Sequence, residues 1–91
     1  MARIHIKRQH DLDHETVRSE IEGLAKRLAD ELSASCIWKG DRLEFKRAGA
    51  SGHVDIDGRQ IEVDIRLGVL LTPLKSTIES KINSYLERAL G

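Results

Sequence analysis

The sequence predicts an α+β two-layer sandwich, an antiparallel sheet with both helices on one face, in the order β-α-β-β-β-β-α. Three observations carry this. Hydrophobic residues recur every second residue at the start and middle of the chain, and at helical spacing in two other stretches. Glycine-containing dipeptides punctuate the middle stretch at strand-length intervals, as hairpin turns do. Four consecutive strands without an intervening helix are joined most simply by hairpins, which makes the sheet antiparallel. With 91 residues the chain, 1–91, reads as a single domain.

The first strand follows from Ile4 and Ile6 alternating with Arg3, His5 and Lys7. Val17, Ile21, Leu24, Leu28 and Leu32 then fall on one stripe of a helix. Asp13 suits its N-cap, with Leu12 and Val17 placed for a hydrophobic staple. Gly23 in mid-helix costs about 1 kcal/mol relative to Ala, so it is expected where another element lies close. From Cys36 to Leu67 the chain reads as a meander. A Gly40-Asp41 loop pairs Lys39 with Arg42, Trp38 with Leu43 and Cys36 with Phe45, gathering the apolar members on one face. The small residues Ala48 to Gly52 read as a loop between strands. An Asp57-Gly58 loop pairs Val54 with Ile61 and His53 with Glu62; the alternative register sets Asp55 opposite Glu62, a like-charge pair. Thr72 and Pro73 suit the N-cap and first position of a last helix, with Leu74, Ile78, Ile82, Leu86 and Leu90 along its stripe. Arg3, His5 and Lys7 on the polar side of the first strand face Glu62, Asp64 and Arg66 on that of the last, a largely charge-complementary set, so these two strands are expected to be neighbours.

Fifteen Lys and Arg balance fifteen Asp and Glu. A neutral chain has no bulk field for a phosphate backbone, which leaves only the local cluster Lys39, Arg42, Lys46 and Arg47 for nucleic acid. No apolar run approaches the roughly 18 residues of a membrane span, and the first residues lack the apolar stretch of a signal peptide, so a cytoplasmic location is expected. The single cysteine, Cys36, is expected to be an inert thiol beside Phe45 and Trp38. In His10-Asp11-Leu12-Asp13-His14, helix capping by Asp13 separates the two imidazoles, so capping is favoured over a metal site. His53 is read as a surface residue paired with Glu62, not half of a catalytic dyad. No catalytic residue, metal or cofactor is assigned.

The apolar surplus lies in Leu67, Val69, Leu70, Leu71 and Leu74, more side chains than one helical stripe buries. Such an excess marks a surface for a partner protein, a second copy in a homodimer or a lipid-like material, with Leu70 and Leu71 as anchors. The alternative is a small hydrophobic-ligand carrier whose cavity would be lined by Trp38, Phe45, Ile78 and Ile82. A nucleic-acid-binding module using the basic cluster is the second alternative.

Three segments carry a family resemblance: Ile4-His5-Ile6-Lys7-Arg8-Gln9-His10, Trp38-Lys39-Gly40-Asp41 followed by Leu43-Glu44-Phe45-Lys46-Arg47, and Leu67-Gly68-Val69-Leu70-Leu71-Thr72-Pro73-Leu74-Lys75. In this order the chain resembles, over essentially its full length, the bacterial polyhydroxyalkanoic acid system proteins, named for genes near those of polyhydroxyalkanoate granule metabolism. The resemblance implies a cytoplasmic protein acting at or near the granule surface, says nothing about a reaction and supplies no catalytic residues; the chain is read as a non-enzymatic accessory protein of that system. The element order also resembles a shortened helix-grip layout, an analogy of fold alone.

Overall fold

The computed structural model describes residues 2–90. Its elements are β1 (Ala2–Gln9), α1 (His14–Leu32), β2 (Ser35–Lys39), β3 (Arg42–Arg47), β4 (Ala50–Asp57), β5 (Gln60–Leu67), a 3₁₀ turn (Val69–Leu74) and α2 (Lys75–Leu90). The strands form one five-stranded sheet in the order β1-β5-β4-β3-β2, antiparallel throughout. The expected pairing of the first and last strands is present, with Arg3 donating to Asp64 through both Nε and Nη2 at 3.0 and 2.7 Å.

Alternation decides which face is covered. Ile4 and Ile6 of β1, Leu43 and Phe45 of β3, Val54 and Ile56 of β4, and Ile61 to Leu67 of β5 turn their apolar residues to one side. The helices divide that side: α1 lies over β2, β3 and β4, and α2 lies over β1 and against α1. Val17, Ile21, Leu24, Leu28 and Leu32 of α1 meet Ile78, Ile82 and Leu86 of α2 in one continuous core. Asp13 caps α1, its carboxylate accepting the Thr16 N–H at 2.7 Å. At the other end Arg47 donates to the Leu32 carbonyl at 2.9 Å, satisfying a group the helix leaves unpaired. Gly23 marks the close approach: Tyr85 of α2 lies directly against it and donates from its hydroxyl to the Glu20 carbonyl at 3.0 Å.

The β2–β3 hairpin has the expected register, with Cys36 opposite Phe45 and Trp38 opposite Leu43. The β4–β5 hairpin does not. Its loop is Gly58-Arg59, so Val54 faces Val63, His53 faces Asp64, and Asp55 does face Glu62. The like-charge pair is tolerated because each carboxylate has a cation on its other side. Arg42 of β3 donates to Asp55 at 2.7 and 3.2 Å, and Glu62 takes His5 and Lys7 of β1. Gly58 at φ +48° starts the loop as Gly40 at +62° starts the β2–β3 loop, the left-handed position being the first of two in both.

Two other expectations are corrected. Ala50, Ser51 and Gly52 belong to β4, and the β3–β4 loop is only Ala48-Gly49. The last helix does not begin at Thr72-Pro73. Thr72 donates its hydroxyl to the Gly68 carbonyl at 3.1 Å inside the 3₁₀ turn, so it is no N-cap, and α2 starts at Lys75.

Candidate functional site

The 3₁₀ turn is held from below. The Gly68 N–H donates to the Gly49 carbonyl at 2.6 Å, and the Leu71 N–H closes the first turn on Gly68 at 3.1 Å. This ties the segment after β5 to the β3–β4 loop at one end of the sheet. Leu71 folds inward; its Cδ1 lies 3.5 Å from the position a Gly49 Cβ would occupy. Leu67 is 1% exposed and belongs to the core, which removes it from any surface. What remains outside is Val69 at 74%, Leu70 at 91% and Leu74 at 41% exposure, with Pro73 between them. Three aliphatic side chains are thus exposed on a hydrogen-bonded turn. Of the five residues expected to form an interaction surface, the structure leaves Val69, Leu70 and Leu74 exposed, half-buries Leu71 and buries Leu67.

The residues expected to line a ligand cavity do not share one. Trp38 sits half-buried at the sheet edge under α1: Arg18 stacks on its ring at 4.0 Å, and its Nε1–H donates to Glu22 at 2.8 Å. Phe45 is fully packed across Gly52, while Ile78 and Ile82 are buried under α2. Two surface clefts lie elsewhere. One of about 760 Å³ opens beside Gln9, His10, Asp57, Arg59 and Leu90, and one of about 450 Å³ beside Lys39, Arg42, Asp55 and Glu62. Phe45, Ile78 and Ile82 are instead members of the one hydrophobic core.

The remaining candidates are absorbed by local contacts. Cys36 directs its thiol to the Ala25 carbonyl at 3.7 Å, and burial, then the Glu22 charge, pushes its pKa up, the reverse of what a nucleophile needs. His10 is buried, its Nδ1 accepting the Leu12 N–H at 3.2 Å while its backbone N–H donates to the Arg59 carbonyl; no partner meets its Nε2. His14 instead contacts Asp41 at 2.7 Å, so the two imidazoles face different surroundings. Among the described residues no three metal-ligating side chains converge. His53 lies between Glu44 and Asp64 across the sheet and 3.5 Å from Asp55, not beside Glu62. Of the four residues of the basic cluster, Lys39 pairs with Glu44, Arg42 with Asp55, and Arg47 donates to backbone carbonyls. No helix among the described residues is long and apolar enough to cross a membrane.

With these positions fixed, the comparison with known families is decisive. Residues 4–90 match the family described as "Putative polyhydroxyalkanoic acid system protein". The chain belongs to this family. Membership in the polyhydroxyalkanoic acid system family associates the chain with polyhydroxyalkanoate metabolism and names no reaction. No curated protein and no solved structure matches it.

The polar face supplies a pH prediction for this family member. Hydrogen bonding from Arg3 holds the Asp64 carboxyl below its ordinary range, and His5 does the same for Glu62. Depressed folded-state values stabilise the fold above the unfolded pKa values, about 3.9 for Asp and 4.3 for Glu. That stabilisation is lost as pH falls through the lower folded values. Thermal unfolding from pH 7 to pH 2.5 should therefore show a melting temperature that declines below about pH 4. Asp64→Asn should flatten part of that decline; an unchanged acid limb would show that the Arg3 pair contributes nothing.

Proposed function

We propose that the chain is a non-enzymatic, cytoplasmic accessory protein that docks on the polyhydroxyalkanoate granule surface through Val69, Leu70 and Leu74. The observation that carries this reading is the 91% exposure of Leu70 on a turn fixed by backbone hydrogen bonds. A leucine so presented is hydrated in the free protein, and its burial against a polyester releases that water. Complete burial of a Val or Leu side chain contributes about 1.5–3 kcal/mol. Leu74, already partly covered, supplies less. Association costs several kcal/mol in lost freedom, so three such side chains give reversible adsorption, not permanent anchoring. The family description supports this choice of surface only by naming the polyhydroxyalkanoic acid system, whose polymer is a polyester.

The test replaces only the exposed groups. Val69→Ser with Leu70→Ser should leave the circular dichroism spectrum and melting temperature near wild type. Co-sedimentation with isolated granules should fall at least fivefold. Leu71 is left in place because it packs on Gly49. Sedimentation of the double variant at the wild-type level would overturn the reading, and retention of the protein by a granule-bound protein after polymer removal would assign the turn to that protein.

A further inference from the structure

β2 forms the free edge of the sheet opposite β1. Lys39 and Arg42 flank the two-residue loop, so alternation along the antiparallel ladder makes Lys39, Ile37 and Ser35 the residues bonded to β3. Cys36 and Trp38 consequently turn their backbone N–H and C=O groups outward. Among the described residues no hydrogen bond reaches these four groups. Between them stands Ile37, 60% exposed and the large apolar side chain on an otherwise charged and polar face.

We infer that β2 pairs with β2 of a second copy about a two-fold axis through Ile37, joining two sheets into one of ten strands. The register follows from the free groups. Cys36 lies opposite Trp38 of the second copy and exchanges two hydrogen bonds with it; the symmetry repeats this, giving four. Ile37 then lies opposite Ile37 in a non-hydrogen-bonded pair, the closer of the two kinds, with Cα atoms about 4.5 Å apart. Each isoleucine covers the other. Lys39 meets Ser35, so no like charges oppose one another. The other edge lacks this property: pairing two copies of β1 brings the cations Arg3 and Lys7 of one against those of the other. A chain of zero net charge also has no overall repulsion between copies.

Pairing between two five-residue strands covers less than the roughly 800 Å² per partner of standard interfaces, so the dimer is reversible and depends on concentration. It uses none of Val69, Leu70 or Leu74, so its failure and that of granule docking are separate outcomes.

Sedimentation velocity of the full chain from micromolar to millimolar concentration should show a monomer–dimer equilibrium. Ile37→Lys, which sets two ammonium groups at the axis, should weaken it at least tenfold. Cross-linking tests the register. In a Cys36→Ser background, Ile37→Cys should form an intermolecular disulfide under mild oxidation at least tenfold faster than Ser35→Cys. The two Ser35 positions lie four residue steps apart along the paired strands, about 14 Å, beyond disulfide reach. A chain that stays monomeric at every concentration, or equal cross-linking rates at the two positions, would overturn the inference. Should Ile37→Lys fail to fold, the cross-linking pair still decides.

Discussion

Gly52→Ala should destabilise the protein by about 3 kcal/mol, the upper part of the usual range for overpacking. A Cβ at this position would lie 2.6 Å from the Asp64 carbonyl oxygen, 2.8 Å from Cε1 of Phe45 and 3.0 Å from the Ile65 Cα. Two of these three atoms are backbone of β5, the strand paired with β4 at this point. They cannot move without spreading the centre of the sheet. The third belongs to a ring that is 1% exposed and has no free volume to turn into. For a domain of this size each kcal/mol moves the melting temperature by about 4–8 °C, so the drop should be on the order of 12–24 °C. Thermal and urea unfolding of the single variant measure it. Phe45→Leu should not rescue the loss, since the backbone contacts persist. A change below about 0.5 kcal/mol, the range of ordinary surface substitutions, would show that β4 and β5 separate more easily than this packing implies.

The second large effect is a reversal of sign. Ala normally stabilises a helix interior relative to Gly by about 1 kcal/mol, yet Gly23→Ala should destabilise this protein by about 1–2 kcal/mol. Its methyl group would overlap the Tyr85 hydroxyl, which is fixed by donation to the Glu20 carbonyl. In a Tyr85→Phe background the overlap disappears, because the remaining ring carbon lies 3.4 Å from the new Cβ. There the same substitution should recover its helical preference and stabilise. Tyr85→Phe alone should cost about 1 kcal/mol for the lost hydrogen bond. The coupling energy in the double-mutant cycle should thus reach about 2 kcal/mol, typical of residues in direct contact. Additive effects would mean that the α1–α2 contact is looser than drawn.

Much of this architecture is written in the sequence as alternation. Ile4 and Ile6, the Gly40-Asp41 hairpin, the Asp13 cap, the Gly23 contact and the β1–β5 pairing all follow from local pattern and charge. The β4–β5 register does not, for a definite reason. Shifting the pairing by two residues keeps Val54, Ile56, Ile61, Val63 and Ile65 on the same face, so hydrophobicity is silent between the alternatives. Charge across one strand pair favours the wrong one, because Arg42 and Lys7 offset the charges of Asp55 and Glu62 from the strands beyond, and His5 hydrogen-bonds Glu62. The repeated Gly-X order of the two loops was the available signal. The apolar surplus after β5 was legible as a count but not as a direction. Leu67 and Leu71 differ from Val69 and Leu70 only in which way the chain turns, and that depends on Gly49, some twenty residues earlier. The burial of His10 had no local sign at all, since it depends on Arg59 from the distant β4–β5 loop.

The chain holds one tryptophan and one tyrosine, and each touches a different flank of α1. Trp38 lies beneath Arg18 and Glu22 where the helix crosses β2; Tyr85 lies against Gly23 and Glu20 where it meets α2. Emission excited at the red edge of the absorption band comes from the indole alone and follows the helix–sheet seam, and difference absorbance of the phenol follows the helix–helix seam. An unfolding experiment on the unmodified chain can thus ask whether α1 parts from the sheet and from α2 in one step or two, with no label attached.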